Sequence, residues 1–355
     1  MSSSDAAASG SETGGAHSPV STVDHHWVAT SSSSVSLNVP MDGLRPADQH
    51  HLWATDMELM HHYSTTAFKT MPRAESIGNV WQTEAPLAAF QDDYMLHLIL
   101  AFSAFHLAHL RPSRQSYYSY IAAYHQDLGI SRMRAGLSQL SAENCHSLFM
   151  AGGLLAVGTF AALAIHAGDK TDKRPSVNDV VEVFVLLKGV GSVLHSWEPI
   201  IHCGKFSDMF KQTQPTEPPS PFWNELRTQL DLLHQPLEDL QRQQPASLDT
   251  LNMEIRKLYN LTKRSYESSS DPELRVVMAW PIDMSDAFLT ALKEQEPAAL
   301  VMLGFYCVVV DRCAVRNWFM QTWSREVLRQ IHVMIPAHYA ELLRWPLAQM
   351  SAQTP

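Results

Sequence analysis

Histidine is the residue type in this chain that could do the most chemistry. Eighteen are present, and three of them, His97, His106 and His109, lie in the run DDYMLHLILAFSAFHLAHL from Asp92 to Leu110. A histidine-bearing helix can hold a metal ion when its imidazoles share one face. Helical phasing argues against that here, because His97 and His106 fall roughly 180° apart at about 100° per residue. Only His106 and His109, three apart, share a face, and no Cys, Asp or Glu follows within the next turn. A core helix whose histidines are hydrogen-bonded locally is the expected reading, with Asp93 and His97 as an i, i+4 pair at its first turn. The doublets His25-His26, His50-His51 and His61-His62 are not expected to chelate, since adjacent side chains diverge by about 100° on a helix. Cys145 and His146 are neighbours, but adjacency alone does not make a nucleophile and its base. Four cysteines, Cys145, Cys203, Cys307 and Cys313, show no CxxC spacing. Neither a zinc site nor a disulfide framework follows, and Cys307 and Cys313 read as small hydrophobes in an apolar run. The glycine pair Gly189/Gly191 lies inside a helical pattern with no strand before it, so it is not a phosphate or dinucleotide cradle. No GxSxG elbow, HExxH or paired-carboxylate motif is present.

These residues sit on a pattern that is helical almost throughout. Asp56–Phe68 carries Leu59, Met60, Tyr63 and Ala67 at helical spacing, with Thr55 or Asp56 as its cap. Gly78–Pro86 reads as a loop carrying Trp81. The helix over 93–110 ends at Arg111-Pro112, because a residue before proline leaves the helical region. Tyr117–Leu140 is amphipathic with Tyr117, Ile121, Tyr124 and Leu128 along one stripe, and Ser141 with Glu143 begins the next helix. Leu148–Ile165 is eighteen residues without a charge. Its small residues and lack of flanking aromatics favour a buried central helix over a membrane span, and Thr159 within it needs no ligand. Val180–Leu187 is the best strand candidate; Asn178 as a cap tips it to helix. Phe222–Leu240 and Leu251–Tyr266 are amphipathic helices, Pro272–Pro281 is an apolar segment, and Ala298–Val310 opens at Pro297 as a strongly apolar helix.

Composition sets the limits. The 355 residues are 45% hydrophobic with a net charge of −10, which supports a large core and argues against nucleic-acid binding by the body of the chain. Residues 1–48, rich in Ser, Ala, Gly and Thr, are expected to be a disordered leader. Residues 49–350 are expected to be one all-α domain of many packed helices, with Lys211–Pro221 as a proline-rich linker or lid.

The order of these blocks resembles a known family. MELMHHYS (Met57–Ser64), the Trp81–Phe90 run ending in PLAAF, and LHLILAFSAFHLA (Leu96–Ala108) are similar to the opening of fungal-specific transcription factor regulatory domains of the sterol uptake control protein type. SAENCHSLF (Ser141–Phe149) and LLKGVGSVL (Leu186–Leu194) resemble the middle. Ala279-Trp280-Pro281, ALVMLGFYCVVVDR (Ala299–Arg312) with Trp318 and Trp323, and Leu343-Arg344-Trp345-Pro346 resemble the end. The resemblance implies an all-helical regulatory domain in the nucleus. As partners it implies a second copy of the chain or a DNA-binding transcription factor, and a hydrophobic small-molecule ligand. Relatives carry a cysteine-rich zinc cluster and this chain has no cysteine before Cys145, so direct DNA binding through that module is not expected. No cofactor, metal or membrane is expected either. Apolar area with a few polar tips makes Trp280, Phe305, Tyr306, Trp318 and Trp323 the expected ligand contacts. A helical fold recruited as an enzyme or small-molecule-binding protein of a biosynthetic cluster is the alternative.

Overall fold

The computed structural model describes residues 46–71, 74–168, 174–211, 220–242, 245–268 and 274–351, and no strand forms among them. The leader as far as residue 45 and most of the proline-rich linker lie outside the described residues. The all-α expectation holds.

The architecture is built around the run that dominates the sequence. Helix α1 (Pro46–Thr65) leads through short helical turns, α2 (Ala74–Asn79) and α3 (Ala85–Ala89), to α4 (Asp93–Leu110). Then follow α5 (Gln115–Leu137), α6 (Cys145–Gly168) and α7 (Val177–Cys203). Helix α4 packs most extensively on α5 and also on α1 and α6, while α6 packs on α7. The second half comprises α8 (Pro221–Gln241), α9 (Pro245–Ser268), α10 (Leu274–Asp283), α11 (Asp286–Lys293) and α12 (Pro297–Ala314). It closes with α13 (Trp323–Met334), α14 (Ala337–Ala340) and α15 (Arg344–Ser351). Helices α10 and α11 lie on α7, and α12 packs on α10, α11, α13 and α15.

Two helices, α6 over Cys145–His166 and α12, are long and apolar enough to cross a membrane, but 72% and 89% of their apolar windows are buried inside the protein. They are core helices, apolar because neighbours surround them.

Several sequence expectations are corrected by packing. Helix α1 starts ten residues before Asp56, at Pro46, so Thr55 and Asp56 are interior positions and not caps. Thr55 Oγ1 meets Tyr117 Oη at 2.9 Å, and Asp56 reaches α5. The expected loop Gly78–Pro86 is helical, with a π turn at Val80–Glu84. Buried Val80 and Trp81 hold it against the core, and Pro86 sits in the first turn of α3 where its missing N–H costs nothing. Of the expected stripe Tyr117, Ile121, Tyr124 and Leu128, Ile121 is buried, and the rest of the buried face runs one position over, through Tyr118, Ala122, His125, Gly129 and Met133. Helix α7 is capped by Ser176, not Asn178, in a capping box with Asp179.

The histidines of α4 are satisfied across helices and not locally. Asp93 turns to Arg132 of α5 at 2.8 Å. His97 Nδ1 lies 2.9 Å from His125 Nδ1, and His125 Nε2 lies 3.0 Å from Asp56 Oδ1. With His125 Nε2–H donating to the carboxylate, His97 Nδ1–H can donate to His125, tying α4, α5 and α1 together. On the other face, His106 Nδ1 is 3.1 Å from His62 Nε2, and His106 and His109 both stack on Trp318 with ring centroids 5.2 and 5.0 Å away.

Helices α4 and α5 approach closely at Gly129. A Cβ there would stand 2.8 Å from Leu98 Cγ and 3.3 Å from the Tyr94 carbonyl oxygen. Alanine favours a helix by about 1 kcal/mol over glycine, whereas overpacking costs about 1–3 kcal/mol. Gly129→Ala therefore lowers the urea-unfolding free energy by about 1 kcal/mol; an unchanged or raised value would contradict this close approach.

Burial, then His125 and Arg132, lowers the pKa of His97 to about 4. Burial, then His62 and His109, lowers that of His106 likewise to about 4. Both groups are thus favoured neutral in the folded state relative to an unfolded value of 6.5. Their contribution is fully present above pH 6.5 and is lost as pH falls toward 4. For His106, 5% exposed, the loss at the acid end is on the order of 3 kcal/mol. Urea midpoints are expected to fall between pH 6.5 and 5, with a shallower slope in His106→Gln. Midpoints that stay flat across that window would contradict the pairing.

Candidate functional site

A cavity of about 230 Å³ opens between α5 and α6, with Phe105 of α4 among its lining residues and the start of α7 at its mouth. Its origin lies in side-chain size. On α5 it is lined by Ser116, Ser119, Ala123 and Gln126, and on α6 by Thr159, Ala162 and Leu163. Tyr120 and Asp127 of α5 and Ile165 and His166 of α6 line it too, so the small Ser116, Ser119, Ala123, Thr159 and Ala162 make room within a lining of mixed size. Gly158 gives room on the α6 side, since a Cβ there would stand 3.1 Å from Gln126 Oε1.

The polar groups of the cavity are unevenly satisfied. Thr159 Oγ1 donates to the Leu155 carbonyl at 2.9 Å, the ordinary arrangement for a helical threonine. Asp179 accepts from the Ser176 amide and hydroxyl, both at 2.7 Å. Arg174, exposed at the mouth, points to Glu326 at 3.4 Å. In contrast, Ser119 Oγ and Gln126 Oε1 are buried with no hydrogen-bond partner among the described residues. Asp127 stands at the open rim, has no cation paired with it among the described residues, and its carboxyl is pushed up by desolvation. Buried polar atoms without partners cost stability. Two of them lie in the wall of a mostly apolar cavity, where water or a small molecule can supply the partner.

The five aromatic residues singled out from sequence are all buried, but they are not brought to one place. Trp280 and Tyr306 pack together at 4.8 Å with Phe184 and Phe288 edge-on to Trp280, and Tyr306 Oη donates to the Val277 carbonyl. Phe305 stacks on Trp345, Trp323 stacks on Phe160, and Trp318 lies against His106 and His109 with its Nε1 donating to Thr70 Oγ1. Trp280 borders a smaller cavity of about 90 Å³ beside Lys257 and Asp283. None of the five lines the larger cavity. Sequence reasoning missed Ser119, Gln126 and Asp127. The signal available was the pairing of two helices that each present small or polar residues on one face.

Cys145 and His146 do meet, Sγ to Nδ1 at 3.6 Å. Burial raises the Cys145 pKa and keeps the sulfur a thiol, while His146 Nε2 faces the Ile200 carbonyl at 3.0 Å. A raised thiol pKa is the opposite of what activates a cysteine nucleophile.

Comparison with known proteins gives a likeness. Residues 58–215 match the family model of the fungal specific transcription factor domain. That stretch contains every residue that lines the α5–α6 cavity and excludes the aromatic cluster around Trp280 and Tyr306. Among individual proteins, the chain is similar to Sterol uptake control protein 2 of Candida albicans (strain SC5314 / ATCC MYA-2876). The two are 24% identical over 174 residues, 49% of this chain and 23% of that protein. It is also similar to Sterol uptake control protein 2 of Saccharomyces cerevisiae (strain ATCC 204508 / S288c), 27% identical over 157 residues, 43% of this chain and 16% of that protein. The matched part thus spans less than a quarter of each relative's length. The likeness supports a transcription-regulator-like role, in line with the ordered motifs of the sequence.

Replacing Gln126 by leucine removes one unpartnered acceptor and fills apolar space. The ligand-free protein is therefore expected to gain about 1 kcal/mol in urea unfolding, since an unsatisfied buried group costs about 1–3 kcal/mol. A loss of stability on Gln126→Leu would show that the carboxamide is structurally satisfied after all.

Proposed function

We propose that this protein is a nuclear transcription regulator that controls a fungal metabolic or secondary-metabolite pathway. It acts through a second copy or a DNA-binding partner. Its helical domain responds to a small, largely apolar effector. The single observation that carries the reading is the coincidence of the two independent features above: the stretch similar to the fungal specific transcription factor domain is the stretch that encloses the cavity. The net charge of −10 supports recruitment to DNA through a partner, because an acidic body repels phosphate. The effector is assigned to the α5–α6 cavity in preference to the Trp280–Trp323 aromatics, whose rings already pack on one another or on neighbouring helices.

The test is a deletion strain profiled for transcripts, together with localisation of the tagged chain. The expected result is nuclear protein that co-purifies with a DNA-binding factor, and coordinated change in a set of pathway transcripts. Cytosolic protein, unchanged transcripts and an accumulating pathway intermediate would instead make it an enzyme.

A further inference from the structure

We propose that the α5–α6 cavity binds an elongated, uncharged amphiphile with a hydroxyl near each end, one captured by Gln126 and the other by Ser119, its aliphatic middle lying along Phe105, Ala123 and Ala162. This deepens the regulatory reading and rests on it only for the consequence in transcription; the binding itself stands on the cavity.

The alignment of the two helices separates the ends. Helices α5 and α6 run antiparallel here: a Cβ on Gly158 would stand 3.1 Å from Gln126 Oε1, and Gln115 Nε2 donates to the Ile165 carbonyl at 3.5 Å. Gln126 therefore lies toward one end of the cavity and Ser119 toward the other, where Ile165 and His166 also line it. Ser119, Ala123 and Gln126, at i, i+4 and i+7, share one helix face, with about 10 Å of rise from the first to the last. Ser119 Oγ and Gln126 Oε1 are both buried without a partner among the described residues. They are two separate points of capture, with Ala123 between them and Phe105 and Ala162 completing an apolar middle. Gln126 Oε1 accepts, and Ser119 Oγ can accept or donate, so a hydroxyl at each end satisfies both.

The charges of the lining select a neutral ligand. Asp127, Asp179 and Glu182 are set against Arg174 and His166, so the balance is negative even with His166 protonated, which disfavours an anion. A cation finds little to hold it. Asp179 accepts from the Ser176 amide and hydroxyl, Arg174 turns to Glu326, and Glu182 and His166 already have partners. Asp127 is exposed at the rim, where water weakens the pull of a carboxylate. The lining's buried atoms without a partner, Ser119 Oγ and Gln126 Oε1, are both uncharged. Size then limits the body. Drug-sized ligands occupy pockets of about 300–1,000 Å³, and this cavity, at about 230 Å³, takes a short chain that gains from burial along its middle.

Calorimetry on the full 355-residue chain at pH 7 tests this with 1,8-octanediol, whose extended chain is matched to two helical turns. The comparison probes are 1-octanol, 1,4-butanediol, octylammonium chloride and sodium octanoate. The diol is the less hydrophobic of the two eight-carbon alcohols, so partition into apolar space favours 1-octanol and capture at both ends favours the diol. The octanediol is expected to bind at least about tenfold more tightly than each of the other probes. Gln126→Leu, and separately Ser119→Ala, are expected to lower its affinity about tenfold, to that of 1-octanol, with 1-octanol itself bound no more weakly than before. Ala162→Leu, which fills the middle, is expected to abolish binding of both alcohols while the unfolding midpoint is held or raised. An affinity for 1-octanol equal to or above that for the diol would mean apolar partition only, and tighter binding of octylammonium would mean that charge at the rim decides. No binding of any probe would mean that water alone satisfies Ser119 and Gln126. A diol affinity untouched by Gln126→Leu and Ser119→Ala would put the site elsewhere. Each of these four outcomes overturns the proposal. The regulatory reading fails separately: diol binding with unaltered transcripts in the deletion strain sinks regulation alone, and altered transcripts without diol binding sink this inference alone.

Discussion

Everything in the first half of the molecule depends on a helix that has almost no solvent face. Thirteen of the eighteen residues of α4 are buried, from Tyr94 and Met95 at one end to Ala108 at the other. A helix apolar on all sides is stable only if other helices enclose it, and α1, α5 and α6 do so. Its few polar side chains then dictate how those neighbours must sit, because a buried polar group without a partner is costly. Ser103 donates to the Leu59 carbonyl at 2.6 Å, His106 meets His62, and His97 meets His125, which is held by Asp56. Hydrophobic burial brings the helices together, and these polar links fix their register.

The cavity follows from the same arrangement. Leu98 sits where Gly129 lets α5 close on α4, so the two helices are in tight contact at that level. The side of α5 turned to α6 carries Ser119, Ala123 and Gln126, which meet Thr159 and Ala162 and cannot fill the gap. A core closely packed around α4 thus borders an open space. Stability is concentrated in the axis and given up in the wall beside it, a division expected where a domain must both persist and respond to a ligand.

Element type was largely legible in the sequence, whereas partners were not. The boundaries of α4 follow from Asp93 and from Arg111-Pro112, and its core character from unbroken apolarity. Helix α7 was helical as expected although Val180–Leu187 is rich in strand-forming residues, because tertiary burial overrides local preference. What one-dimensional patterning lacks is the identity of the facing helix. It put His97 with Asp93, four residues away, when its partner His125 lies twenty-eight residues on. It set the α5 stripe one position off, since Tyr117 and Tyr124 look like core residues until Tyr118 and His125 are seen to carry the contacts. The five aromatic candidates and the larger cavity fall in different places for a related reason. Trp280, Phe305, Tyr306, Trp318 and Trp323 announce themselves by size, but large rings fill space, and a cavity is made by small residues opposite one another.

Helix α4 is the axis on which the domain depends, and native-state hydrogen exchange reads that dependence residue by residue. Amides of α4 from Leu98 to Ala108 are expected to exchange only through global unfolding, with a free energy equal to that from urea denaturation, while α8 and α9 open at lower cost. Exchange of α4 through a local opening while α8 and α9 stay protected would contradict the account.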